Sequence, residues 1–548
     1  MAYNGRPPFA ALVAFALFSL ASAQSVLQYH GNDYKNGFYV DPLFNATNIN
    51  TIALDASFNV SVPGPVYAQV LYLVNGSRGR DVIFVATEQN QVLALDARTG
   101  STIWNRTLGP PVNGTLLPCG NISPSGITGT PVIDLVTGTI AFVTLTTANG
   151  TREGIRSVAW ALYIANGTVV PGWPVDIQAL ITGQNSTFIS ANQQQRGALA
   201  LLNSTVYIPY GGLAGDCEEY YGTVVGIPLL NTSAADAYLA SPYKGGLWSA
   251  PGITTDGSYI YGTTGNTGGL DDFTPPENWS GGEAIIKLSP GPNFSNSSQD
   301  FFTPVNWKEL DRDDVDIGSS GALLVDLPGS TPLQLVFAMG KNGVVYIGDR
   351  NNLGGVGGAV FQAQVAQGAI ITTPVAYNTS NGTYIALAGG ATVLNGIPGS
   401  NGDVIALKLN PGSPPNFTVA WTARAQGGGR SSLIATSPDG NSTAIVWVLG
   451  AQGSNTLRGF DGVTGTLVYN GTQVFSRLRQ WQTPIVAKGR LYFADDTQLY
   501  AFTLAGAPAL PIGVNATVAN GTTAAAPVAA PPSNTSVSTN ASLPTNGR

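Results

Sequence analysis

Five stretches of this 548-residue chain combine residue types that can do chemistry. Trp248, after Gly245-Gly246-Leu247, offers a flat face on which a planar group can stack. Asn266, in Gly262-Thr263-Thr264-Gly265-Asn266, offers a neutral amide oxygen to a hard cation. Lys341, in Lys341-Asn342-Gly343, could pair with a carboxylate or another anionic oxygen. Asp311, Asp313, Asp314 and Asp316 crowd one short segment, where mutual repulsion raises some pKa values or invites a cation. The acidic run Asp216-Cys217-Glu218-Glu219 adds three more carboxylates. Each stretch also has an ordinary structural reading. A tryptophan can be core, Asn-Gly makes hairpin turns, and a Glu is usually exposed.

The rare residues exclude much else. His30 is the single histidine, so multi-His zinc sites are out and any Ser-His-Asp triad could use only His30. Two cysteines, Cys119 and Cys217, cannot make a Cys₄ zinc or iron–sulfur site. There is no P-loop, no EF-hand spacing and no C-x-x-C-H haem motif. A hydrolase using the acidic loop lacks a recognisable carboxylate pair. The formal charge of −7 disfavours a nucleic-acid partner, which needs clustered cations.

The elements that must position these residues are strands. Charged residues are only 10% of the chain and glycine numbers 68. That suits short strands and Gly-rich turns rather than amphipathic helices, whose outer faces need charge. One hairpin pattern recurs. It is clearest in VIFVATEQNQVLALDARTGSTIW (82–104) and returns at 139–145, 205–211, 258–266, 333–350, 383–390, 444–450 and 490–504. Upstream strands with proline precede several copies: GTPVID (129–134), TTPVAY (372–377) and QTPIVA (482–487). PVYAQVLYL (65–73) matches them. Eight hairpins at a mean spacing of roughly 55 to 60 residues, with no helical signature between them, predict an all-β chain. A single eight-bladed β-propeller hides its sheet edges by radial closure. An N-terminal strand is expected to complete the last blade.

The two ends of the chain read differently. Residues 1–23 form a signal peptide pattern, with Arg6, an apolar run from Phe9 to Leu20, and Ala21-Ser22-Ala23 before a cleavage site. About 23 N-x-[ST] sequons occur, against roughly seven or eight expected from composition. A secreted, extracellular, N-glycosylated protein is expected, with no transmembrane segment in the mature chain. Residues 24–504 form the propeller and 505–548 a disordered, glycosylated tail rich in Ala, Pro, Ser, Thr and Asn. The tail has no hydrophobic end for a lipid anchor.

Ala94-x-Asp96-x-x-Thr99-Gly100-x-x-x-Trp104 resembles the tryptophan-docking repeat of pyrroloquinoline quinone (PQQ) β-propellers. Asp461-Gly462-Val463-Thr464-Gly465 is similar, with Tyr469 near the tryptophan position. The resemblance covers about residues 28 to 504. It implies the fold of the quinoprotein alcohol dehydrogenases, with PQQ and Ca²⁺ at the centre of the ring. It also implies roles: Trp248 stacking on the quinone, Lys341 contacting it, Glu218 (with Glu219 as the alternate) and Asn266 holding calcium, and Asp314 as base with Asp316 as the fallback.

The chain departs from the family's pattern at two places. The family's adjacent cysteine pair is absent, and Cys119 is expected to bond Cys217 as a loop staple. No Lys or Arg lies between Gly120 and Pro131, where the family places a cation. The expected function is a binding or scaffold propeller with a partial quinone and calcium site, whose extracellular partner is a glycan, a peptide or a matrix component. The alternative is a PQQ- and Ca²⁺-dependent alcohol or sugar dehydrogenase.

Overall fold

Residues 71–107 show how the repeat folds. Alternating apolar residues make four antiparallel strands, Leu71–Ser77, Arg80–Ala86, Gln91–Asp96 and Thr102–Thr107, joined by short turns. The polar turn at Glu88 to Asn90 and the Asp96 to Gly100 turn fall between strands, as the spacing predicts. This is blade 1. The computed structural model describes residues 25–512 apart from 185–186, 241–242, 269–274 and 390–401. The signal-like segment and the residues from 513 onward lie outside the described residues.

Seven further sheets follow in chain order, and together they make an eight-bladed β-propeller. Blades 2 to 8 begin with the strands Val132–Asp134, Ala200–Leu202, Thr254–Thr255, Leu323–Asp326, Val375–Thr379, Ile434–Ser437 and Ile485–Ala487. Each predicted hairpin supplies the second strand of one blade. Among the described residues, helix is limited to short pieces such as Ile177–Gly183 and Trp307–Arg312.

The tryptophan motif locks neighbouring blades together. Trp421 of blade 6 donates its indole N–H to the Gly462 carbonyl of blade 7 at 2.9 Å. Gly465 has φ +71°, and a Cβ there would sit 2.7 Å from Trp421 Cδ2. The glycine is needed both for the turn and for the ring that covers it. Asp461 shapes the same turn by accepting from Val463 N and Thr464 N. Trp104 docks likewise across blade 2, donating to the Ile164 carbonyl at 2.8 Å.

Closure uses the N-terminus in two ways. Ala53–Leu54 and Val60–Ser61 pair with Gln498–Thr503 and complete blade 8, as expected. The segment before them, Val26 to Asp41, does something the repeat does not announce: it touches all eight blades. Val26 pairs with Tyr72, Ile133 N donates to Leu27 O, and Thr255 N donates to Asp33 O. Tyr34 bonds Asp326, Ala376 N donates to Asn36 O, and Phe38–Val40 runs parallel to Ile434–Ser437. Lys35, fully buried, donates to the carbonyls of Leu199 and Pro251, and Asp41 accepts from Gly489 N. Most of these partners lie on first strands, so the first strands line the axis and the segment fills the channel between them. Packing continues past residue 504: Leu510 is buried in the core cluster shared by blades 1, 7 and 8.

Candidate functional site

In each blade the turns between strands two and three, and the links to the next blade, lie at one end of the ring. A cavity of about 190 Å³ opens there, lined by residues of blades 3 to 5 and their links. Trp248, Asp314, Asp316 and Lys341 all line it.

Backbone pairing brings the first two motifs together. Gly245 N donates to Asn266 O at 2.9 Å and Gly265 N to Gly246 O at 3.0 Å, so the Gly-Gly strand before Trp248 clamps the segment carrying Asn266. Asn266 N then donates to Asp316 Oδ1 at 2.8 Å. The Asn266 side chain is buried and its Nδ2 has no hydrogen-bond partner.

The acidic stretch is folded, not extended. Trp307–Arg312 is a short helix, Asp314 has φ +53°, and Ile317–Ser320 is a 3-10 turn. This reversal brings both candidate bases to one ammonium. Lys341 Nζ lies 2.6 Å from Asp316 Oδ2 and 2.7 Å from Asp314 Oδ1. Burial alone would lower the Lys341 pKa, but Asp316 and Asp314 reverse that and hold it above its usual value. The same ammonium stands 5.4 Å from the centroid of the Trp248 ring.

Glu218 is not part of this group. Asp216 and Glu218 both have positive φ, and Cys217 between them is drawn away into a disulfide with Cys119, Cα–Cα 6.2 Å. The turn points Asp216 into the cavity and Glu218 outward, where it is half-exposed and pairs with Arg152 at 3.5 Å. Glu219, the alternate, accepts from Tyr221 OH. The disulfide itself is as expected, and no free cysteine remains.

Three residues went unread in the sequence. Arg196 is buried, with its guanidinium 4.8 Å from the Trp481 ring and 5.8 Å from Trp248. Its Nη2 donates to Gln194 Oε1, its Nε has no partner, and among the described residues it makes no ion pair. Burial lowers its pKa to about 10. The only sequence signal was a cation after the polar run Gln193-Gln194-Gln195. Asp216 stood inside the acidic run already singled out; burial raises its pKa although Tyr220 OH donates to it at 2.6 Å. Glu283 is fully buried behind the site, accepting from Ile317 N at 2.8 Å, with its other oxygen unpartnered. Burial first, then the Asp316 charge, push its pKa well up. Asp311, bonded to Thr267 rather than to the cavity, is raised to about 6, chiefly by burial.

The donor set fits a quinone and a calcium ion unequally. A planar acid would find the Trp248 face and the Arg196 and Lys341 cations, the latter already engaged. Calcium would need several free oxygens. Asp314 and Asp316 are bound to Lys341, Asp216 is bound to Tyr220, and Glu218 is elsewhere. Among the described residues, no group of three or more acidic, His or Cys side chains is placed to hold a metal ion.

These features define a class: the chain is a PQQ-like eight-bladed β-propeller. Residues 67–170 match a family model described as outer membrane protein assembly factor BamB. Among solved structures the chain is similar to the quinohaemoprotein alcohol dehydrogenase of Comamonas testosteroni, at 14% identity and TM-score 0.56, covering 88% of this chain and 81% of that one. It is also similar to a europium-containing methanol dehydrogenase, at 13% identity and TM-score 0.58, covering 88% and 98%. Such low identities carry the fold alone. A search of curated proteins finds no match.

Proposed function

We propose that this protein is a secreted, N-glycosylated propeller that binds an extracellular ligand without turning it over, and that its central cavity is a vestigial cofactor site. One observation carries this reading: Lys341 is spanned between Asp314 and Asp316. The one cation engages both candidate bases, leaving the trio a net charge of −1 but neither carboxylate unpaired to act as a base or as half of an acidic pair for calcium. The outward position of Glu218 supports the same reading. Arg196 and Trp248 remain as the groups free to meet a ligand, by charge and by stacking. The Cys119–Cys217 disulfide, and the absence among the described residues of any helix long and apolar enough to cross a membrane, fit secretion.

The second reading is a PQQ- and Ca²⁺-dependent alcohol or sugar dehydrogenase. It is favoured by the meeting of Trp248, Asp314, Asp316 and Lys341 at one cavity, with Asn266 N donating to Asp316. Bound PQQ would supply the electron sink; Trp248 would stack on it and Arg196 and Lys341 would meet its anionic oxygens. The experiment that separates the two is an absorbance scan of purified protein with PQQ and Ca²⁺, then dye reduction over a panel of alcohols and sugars. The binding reading expects no dye reduction. Turnover that Asn266→Ala abolishes would replace it with the dehydrogenase.

A further inference from the structure

Asparagine exposure in this ring follows sequence context. Eighteen sequon asparagines fall within the described residues; seventeen are exposed and Asn45 is half-buried. Of thirteen described asparagines outside sequons, only four are exposed. Turn preference places both kinds in loops, so it does not account for the difference.

The exposed sequons are also unevenly placed. The turns joining strands one to two and three to four lie at the end of the ring opposite the cavity. Ten sequon asparagines sit there, among them Asn203, Asn378 and Asn441 in one-to-two turns, and Asn166, Asn231 and Asn293 in three-to-four turns. The cavity end carries Asn113, Asn121, Asn149 and Asn278, while Asn105 and Asn470 lie on outer strands and Asn59 just before one.

A second observation points to the same end. Leu135, Val136 and Leu230 are exposed by 55%, 87% and 76%, and all three lie in turns away from the cavity. Leu333 and Tyr259 join them there, whereas Val305 and Val474, exposed by 75% and 62%, lie in links at the cavity end. Exposed apolar side chains grouped on one surface favour association unless something covers them.

We propose that N-linked oligosaccharides cover the end of the ring opposite the cavity and keep it from associating, which leaves the cavity end as the recognition face. In each modification, C1 of the reducing-end sugar breaks its bond to a polyisoprenyl diphosphate, the leaving group. It bonds to the asparagine Nδ2, which gives up a proton. The proposal rests on passage through a glycosylating secretory pathway.

Occupancy mapping tests it. Protein from a eukaryotic culture medium is treated with peptide N-glycosidase in heavy-oxygen water, and the marked asparagines are located by mass spectrometry. Most of the ten far-end positions should be marked. A protein recovered without any glycan would overturn the N-glycosylated reading together with this inference. A glycosylated protein whose glycans lie mainly at the cavity end would overturn this inference alone. Function is tested with two triple variants, far-end N203Q/N231Q/N378Q and cavity-end N121Q/N149Q/N278Q. The far-end variant should lose secreted, monomeric yield several-fold, and the cavity-end one should not. Equal behaviour of the two would also refute the shielding role.

Discussion

Lys341 and Asp316 form the closest charged pair in the cavity, 2.6 Å apart, with the Asp316 side chain only 2% exposed. Asp316 is held on its other oxygen by Asn266 N, and its backbone carbonyl accepts from Lys341 N at 2.9 Å. The pair therefore ties the link after blade 4 to the turn of blade 5.

Removing one partner should be costly. Lys341→Met leaves Asp316 as an uncompensated buried carboxylate and should destabilise the fold by about 3 kcal/mol or more. Adding Asp316→Asn should recover most of that loss. Urea unfolding of the two single variants and the double variant measures the coupling, and additive losses would mean the pair is not energetically joined.

Gly465 should be less replaceable than Gly506. Both have positive φ, +71° and +79°, but only Gly465 faces the Trp421 ring, while a Cβ at Gly506 meets nothing within 4 Å. Gly506→Ala should cost about 1 kcal/mol, the backbone penalty alone. Gly465→Ala should cost roughly 2 kcal/mol more, because the docked tryptophan must shift. Thermal unfolding of the two variants gives the comparison.

Glu88 should make stability fall as pH rises. It is fully buried, it accepts from Gly126 N at 2.6 Å, and burial raises its pKa to about 7. A raised folded pKa means that the folded state holds the proton while the unfolded state releases it between about pH 4.5 and 7. Stability is lost across that window, by roughly 3 kcal/mol for a shift of this size. Glu283 and Asp311 are shifted in the same direction. Glu88→Gln should flatten the pH dependence by its own share. An unchanged slope of unfolding free energy against pH would remove Glu88 as a cause.

The disulfide should hold the cavity wall. Cys217 follows directly on Leu213 to Asp216, which line the cavity, and Cys119 lies 98 residues away in the chain. Replacing both cysteines by serine should cost about 4 to 5 kcal/mol on the loop-entropy model. Amide hydrogen exchange over residues 212–218 should rise at the same time. A stability loss without faster exchange there would separate the staple from the cavity.

Local pattern determined the architecture. The alternation that makes each hairpin, the Asp-x-x-Thr-Gly turn and the Trp104 docking residue all act within one blade or between neighbours. Their physical causes, side-chain period and turn geometry, are therefore written in short windows of sequence. The eight second strands and the closing strand of blade 8 were legible for that reason. The same reasoning expects Glu218, Trp248, Asn266, Asp314 and Lys341, with Asp316 as fallback, at one pocket; Trp248, Asp314, Asp316 and Lys341 line the cavity, and Glu218 and Asn266 do not. What tertiary structure alone decided was which side chain faces which. Arg196 meets Trp481 across 285 positions of chain, Lys35 meets Pro251 in the channel, and Asp216 takes the inward place instead of Glu218 because Cys217 is pulled toward Cys119. Ring closure sets those contacts, and a repeat that reads the same in every blade carries no information about its neighbour across the axis.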